Sequence, residues 1–205
     1  MVTSVARRTC LLALTAGLLI TSLPALAQPE WVTALRGGGY VIVMRHGATH
    51  QDQADTDPLN LANVVQQRQL NDAGRAKARE IGAAMKKLGI PVGQVVSSQY
   101  FRAIETARLL GFGEPQPTPD VSEGGQVVTP IENNRRTAAL RKLAATAMPG
   151  TNVMVVSHKP NIVDAFGKDW FDIREAEISI FKPDGAGSYQ LVARVQADEW
   201  AKLAQ

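Results

Sequence analysis

The sequence predicts an α/β fold, a three-layer α/β/α sandwich around a mostly parallel central sheet. Tyr40–Met44, Val95-Val96 and Val153–Val156 are continuous apolar, β-branched-rich runs, as expected of strands covered on both faces. Segments of helical character separate them, the alternation that builds a parallel sheet. Each run stops abruptly in polar residues: Arg45-His46-Gly47, Ser97-Ser98 and Ser157-His158. Ligands of open α/β sheets bind outside the carboxyl ends of the strands, so these residues are delivered to the edge where chemistry is expected.

The chain has 205 residues and a formal net charge of +3. Met1–Ala27 reads as a secretory signal. Arg7 and Arg8 form its basic start, Leu11–Ile20 is an apolar stretch too short to span a bilayer, and Ala25-Leu26-Ala27 is a cleavage site. Arg7-Arg8-Thr9 also loosely resembles a twin-arginine signal. The expected mature protein is therefore residues 28–205, one domain, periplasmic or secreted. The single cysteine, Cys10, leaves with the leader, so neither a disulfide nor a thiol nucleophile is expected. Two arginines and no acid leave with it, which takes the net charge from +3 to +1. Such a balance does not support a nucleic-acid-binding surface, and no later apolar run is long enough for a membrane span.

Along the mature chain, Glu30–Leu35 reads as a short helix stopped by Gly37-Gly38-Gly39, and the first strand follows. His50–Gln69 is a long polar loop containing Asp52, Asp55 and Asp57-Pro58. Loops of this length within a compact domain are often functional, and this one flanks His46, where it is expected to set specificity. Asn71 or Asp72 caps the next helix. Ala73, Ala76, Ile81, Ala84, Met85 and Leu88 follow as an apolar stripe, with Arg75, Lys77, Arg79, Lys86 and Lys87 solvated. Gly89 stops this helix and Pro91 follows.

Gln94–Ser97 is the second strand. The helix after it runs to Leu110 and carries Arg102 in its first turn, a cation where the helix dipole disfavours one and where a neighbouring anion would explain it. Gly111–Thr129, rich in Gly and Pro, reads as a loop or short extended segment. Glu132–Ala147 reads as a helix with Ala139, Leu140, Leu143 and Ala147 inward. Asn152–Val156 is the third buried strand, and Pro160 suits the first turn of a helix to about Phe166. Glu177–Lys182 and Ser188–Val195 form a hairpin turned at Pro183-Asp184-Gly185, and a short helix containing Trp200 closes the chain.

Arg45, His46, Arg102 and His158 thus converge as a concentrated positive site. Arginine forks match phosphate oxygens, and a neutral imidazole can be a nucleophile. The sequence has no Gly-rich phosphate loop and no serine elbow. No carboxylate or cysteine at ligand spacing supports a zinc site on His46, His50 and His158.

Arg45-His46-Gly47-x-Thr49, then Ser97-Ser98-x-x-x-Arg102-Ala103-x-Glu105-Thr106-Ala107, then Val156-Ser157-His158 resembles the histidine phosphatase superfamily in its phosphoglycerate-mutase-like branch. The motifs fall in the right order and span essentially the whole mature chain. The resemblance implies a phosphoglycerate-mutase-like fold and hydrolysis of a phosphomonoester through a phosphohistidine on His46. Arg45, Arg102 and His158 would cradle the phosphoryl oxygens, with Thr49 touching phosphate, and neither metal nor cofactor would be needed. A backbone carbonyl would hold one ring N–H of His46 while the other nitrogen attacks.

In one branch an Asp directly after the second histidine accompanies it, but Lys159 follows His158 here. In the mutase-like branch the general acid is a Glu after the second arginine, and Glu123 matches by position, without the longer acidic pattern usual there. Asp52 and Glu175 are the fallbacks.

Ordinary structural roles compete with each of these. Arg102 can pair with Glu105 on its own helix, His158 can cap the helix at Pro160, Glu123 can be a solvated loop acid, and Arg135 and Arg136 can line a solvated helix face or reach substrate. The expected partner is a small-molecule or glycan phosphate ester. Export disfavours a glycolytic mutase or an intracellular phosphohistidine signalling role. It favours a sugar or envelope phosphate of lipopolysaccharide type, or a broad range of small phosphomonoesters. Two other functions fit the same residues: a non-catalytic phosphate-ester-binding protein, which would bind without turnover, and a phosphomutase, which would return the phosphoryl group to substrate.

Overall fold

The computed structural model describes residues 28–124 and 127–205; the expected leader Met1–Ala27 lies outside the described residues. The three apolar runs become β1 (Val41–Arg45), β2 (Val92–Ser98) and β4 (Asn152–Ser157). Three more strands join them: β3 (Gln116–Thr118), β5 (Ile178–Pro183) and β6 (Tyr189–Val195). The order across the six-stranded sheet is β3-β2-β4-β1-β5-β6. β1 to β4 are parallel, while β5 and β6 add an antiparallel hairpin against β1. Only β3 lies in a stretch read as loop or short extended segment. It is an edge strand, where Pro117 removes no ladder bond from a central position.

Alternation along β1 assigns the layers. Ile42 and Met44 pack with α1 (Glu30–Arg36), α2 (Asp72–Lys87), α3 (Phe101–Leu110) and α6 (Glu199–Leu203). Val41 and Val43 point the other way, into the core shared with α4 (Pro130–Ala144) and α5 (Lys159–Phe166). The register of β1 on β4 sets Arg45 beside Ser157, so both strands release their polar ends side by side.

Two helices differ from expectation. Asn71 caps α2, its side chain accepting the Gly74 N–H at 2.8 Å, but the buried face runs through Gly74, Ala78, Ile81, Gly82, Ala84 and Met85. Ala73 and Ala76 are exposed. Close backbone approach selects the glycines: a Cβ on Gly74 would lie 2.2 Å from the Ala48 carbonyl oxygen, and one on Gly82 2.1 Å from that of Leu110. α4 begins earlier than expected, capped by Thr129, whose hydroxyl accepts the Glu132 N–H at 3.2 Å. It ends at Ala144, and Ala147 is exposed, because Pro149 draws the residues before it away from helical geometry.

Gly74→Ala tests the contact that seats the turn after β1. Alanine gains about 1 kcal/mol over glycine inside a helix, but a methyl forced against rigid backbone costs up to about 3 kcal/mol. The expected net loss, about 2 kcal/mol, is read from urea denaturation; a variant as stable as wild type would show that the turn yields freely.

Candidate active site

His46 follows β1 directly and stays tied to the sheet, its N–H donating to the Ser157 carbonyl at 3.0 Å. The ring is 2% exposed, and its Nδ1 lies 2.8 Å from the Gly47 carbonyl oxygen. A carbonyl only accepts, so Nδ1 carries the hydrogen and the lone pair of the neutral ring is on Nε2. The turn that holds this ring is fixed from three sides. The Gly47 N–H donates to Thr106 Oγ1 at 3.0 Å, and that hydroxyl donates to the Arg102 carbonyl at 2.7 Å. Asn71 donates from its N–H to the Ala48 carbonyl at 3.0 Å and from Nδ2 to the Thr49 carbonyl at 3.1 Å.

His158 emerges beside it from β4, fully buried. The two imidazoles meet edge to face with centroids 5.1 Å apart. His158 Nε2 lies 2.6 Å from Ser98 Oγ at the end of β2. Its Nδ1 has no hydrogen-bond partner and faces Glu123 Oε1 at 3.5 Å. It occupies the N-cap position of α5, as the sequence allows, but its ring makes no capping bond.

Arg102 is fully buried near the N-terminus of α3. Its Nη1 donates to Asp55 Oδ1 at 2.9 Å, its Nη2 pairs with Glu123 Oε1, and the guanidinium lies over the Tyr100 ring at 4.4 Å. Glu105, the alternative partner, is taken by Arg75 of α2 at 2.8 Å. Arg45 donates from Nη1 to the Ile173 carbonyl at 2.8 Å and lies 3.6 Å from Glu175.

Burial pushes the His46 pKa well below its ordinary value, and the nearby His158 and Arg102 push it further, against the Gly47 hydrogen bond. Burial does the same to His158, helped by Arg102, Arg68 and Arg45. Both imidazoles are therefore neutral near pH 7. Among the described residues, three nitrogens of this group, Arg45 Nε, Arg102 Nε and His158 Nδ1, are buried without a partner, as is Thr49 Oγ1. Buried polar atoms are ordinarily paired, and orphaned donors beside arginines suit an oxyanion.

The structure thus brings together Arg45, His46, Arg102, Glu123 and His158. Glu123 is no free loop acid. Its segment is held by Arg136 Nη1, which donates to the Ser122 and Glu123 carbonyls at 3.0 and 3.3 Å, and by Asn161 Nδ2, at 3.0 Å from the Ser122 carbonyl. Arg135 pairs with Asp120 and Glu132. Thr49 is buried and bridges Leu70. Of the fallback acids, Glu175 reaches Arg45 and Asp52 is exposed. Asp55 went unrecognised: it is one of several acids in a polar loop, and no local pattern marks it as the partner of Arg102.

Residues 41–124, from β1 through Glu123, match the family model of the histidine phosphatase superfamily (branch 1). Over that stretch the chain is similar to this superfamily. Solved histidine phosphatase folds agree. The protein histidine phosphatase SixA, complexed with tungstate, aligns at TM-score 0.55 and 19% identity over 78% of this chain and 98% of that one. A mycobacterial glucosyl-3-phosphoglycerate phosphatase with inorganic phosphate aligns at TM-score 0.54 and 18% identity over 78% and 99%. No curated protein sequence matches the chain. At these identities the structural likeness shows the fold.

The neutral histidines of this site link stability to pH. Once unfolded, they take up protons below about pH 6.5, while the folded site resists protonation. The unfolded state then binds more protons, so stability present above that pH is lost as pH falls. The urea midpoint is expected to drop between pH 7 and pH 5, and to drop less in His46→Gln. Equal slopes in the two proteins would mean that the folded site leaves His46 at its ordinary pKa.

Proposed function

We propose that this protein is a phosphatase that hydrolyses a phosphomonoester through a covalent phosphohistidine on His46. The observation that carries this reading is the fixed, neutral imidazole: Nδ1 is committed to the Gly47 carbonyl, and Nε2 keeps its lone pair beside Arg102 and His158. In the first step Nε2 attacks phosphorus, the P–N bond forms, and the ester P–O bond breaks. The leaving oxygen takes a proton from the Glu123 carboxyl. In the second step Glu123, now a carboxylate, accepts a proton from water as the water oxygen attacks phosphorus. The P–N bond breaks, inorganic phosphate leaves, and His46 is neutral again.

Arg45, Arg102, His158 and Thr49 stabilise charge on the oxygens of the transferring group, the main catalytic task in phosphoryl transfer. Glu123 is placed for both halves of its role, with its carboxylate on Arg102 and 3.5 Å from His158 Nδ1. The route uses no metal. SixA was solved with tungstate and the mycobacterial phosphatase with phosphate, both tetrahedral oxyanions, which supports the same use of this edge here.

The test is phosphate release from an aryl phosphate with EDTA present. His46→Ala is expected to lower turnover by about a thousandfold or more. Glu123→Gln is expected to slow an alkyl phosphate, whose alkoxide needs the proton, about a hundredfold more than an aryl phosphate. EDTA-sensitive turnover, or a His46→Ala protein that keeps its rate, would rule the mechanism out.

The setting we propose is the periplasm or exterior, with an envelope or other sugar phosphate as substrate. The supporting feature is the signal-like Met1–Ala27. N-terminal sequencing of protein from the envelope fraction is expected to begin at Gln28; recovery of intact chain from the cytoplasm alone would defeat this assignment.

A further inference from the structure

Arg68 is a cation without an anion. It ends the His50–Gln69 loop and is half-buried. Every other arginine of the described residues that is not exposed has a carboxylate: Arg45 has Glu175, Arg75 has Glu105, Arg102 has Asp55 and Glu123, Arg136 has Glu132, and Arg194 has Asp172 and Glu177. The Arg68 guanidinium has no such partner among the described residues, although its charge bears on both Arg45 and His158. It therefore belongs to the site's surroundings and not to the outer surface.

Its backbone is held firmly. The Arg68 N–H donates to Asp55 Oδ1 at 3.0 Å, the same oxygen that takes Arg102 Nη1 at 2.9 Å. On one side, Gln67 accepts the Phe101 N–H at 2.7 Å and donates to the Leu61 carbonyl at 2.8 Å. On the other, the Gln69 N–H donates to Gln53 Oε1 at 2.9 Å and its Nε2 to the Val64 carbonyl at 2.7 Å. These bonds present a charge that nothing among the described residues neutralises.

A partly buried charge without a partner costs free energy, and repulsion from Arg45 adds to the cost. Such arrangements concentrate at functional sites, where a ligand supplies the missing charge. Arg45, Arg102 and His158 already serve the oxygens of one phosphoryl group. Arg68 is less buried than Arg102 and His158 and comes from the loop that flanks His46, which favours a role outside the phosphoryl cradle.

We propose that Arg68 binds a second anionic group on the leaving portion of the substrate, a carboxylate or another phosphate, and so selects phosphate esters that carry two anions. This deepens the phosphatase reading and rests on it. Recognition of planar or tetrahedral oxyanions by a guanidinium is bidentate, so lysine is a partial substitute and glutamine none.

The test uses ester pairs that differ in one anion: phosphoglycolate against ethyl phosphate, and glucose 1,6-bisphosphate against glucose 6-phosphate. Wild type, Arg68→Gln and Arg68→Lys are compared by kcat/KM after thermal melts show each to be folded. Wild type is expected to favour the doubly anionic member of at least one pair by about tenfold or more, and the responding pair tells carboxylate from phosphate. Arg68→Gln is expected to bring that ratio close to one, with Arg68→Lys between. A wild-type ratio near one in both pairs overturns the proposal. So does an Arg68→Gln variant that loses the same factor on both members, which would put Arg68 on the transferring phosphate. If wild type hydrolyses none of the four esters, the aryl phosphate assay decides separately on the phosphatase reading, and calorimetric binding of the same pairs decides on Arg68. A binding preference lost in Arg68→Gln supports its role, and equal wild-type binding of both members overturns it.

Discussion

A guanidinium with no exposure to solvent is the constraint on which the rest of the site depends. Taking a charge out of water is expensive, and it is tolerated where partners with good geometry surround it. Arg102 obtains them from three separate parts of the chain: Asp55 from the loop after β1, Glu123 from the segment after β3, and the Tyr100 ring from the turn before α3. Those segments are otherwise polar connections with little apolar surface to bury. The ion pairs at Arg102 draw the β1–α2 loop and the Glu123 segment onto the sheet edge, where hydrophobic packing alone would leave them loose.

Burial sets the state of the nucleophile, and the same positive charge reinforces it. His46 lies near Arg102, Arg45 and His158, and each of them disfavours a second positive charge on its ring. Loss of hydration is the largest cause and repulsion adds to it, so the neutral imidazole wins even though the Gly47 carbonyl would stabilise the cation. A cluster that attracts anions therefore also prepares a nucleophile with a free lone pair. The two functions need no separate machinery, since burial turns one arrangement of charge to both ends.

The sequence makes the centre of this molecule legible and its loops much less so. β1, β2 and β4 are buried on both faces, and continuous apolar runs betray that directly. The residues that end them, Arg45-His46, Ser97-Ser98 and Ser157-His158, stand next to those runs in the chain, so the polar edge of the sheet can be read locally. β3 could not be read with the same clarity, because a three-residue edge strand containing Pro117 has neither the length nor the composition of a strand. The inward face of α2 was misplaced for a related reason. Apolar periodicity favours Ala73 and Ala76, whereas contact with the Ala48 carbonyl demands the absent side chain of Gly74, and that demand comes from a segment distant in sequence. Asp55, the partner of Arg102 across 47 residues of chain, is invisible for the same reason.

Asp55 also joins the loop that carries Arg68 to the side chain of Arg102, beside the bond from the Phe101 N–H to Gln67. One of its oxygens accepts from the side chain of Arg102 and from the backbone of Arg68. An oxyanion that competes for Arg102 competes for that oxygen's partner. Whatever draws Asp55 away from Arg102 strains or breaks a hydrogen bond of the backbone that carries Arg68. The buried arginine of α3 and the half-buried arginine of the loop are thereby coupled through a single carboxylate, across segments that share no strand pairing. Charge compensation at Arg102 thus also holds the backbone that carries Arg68.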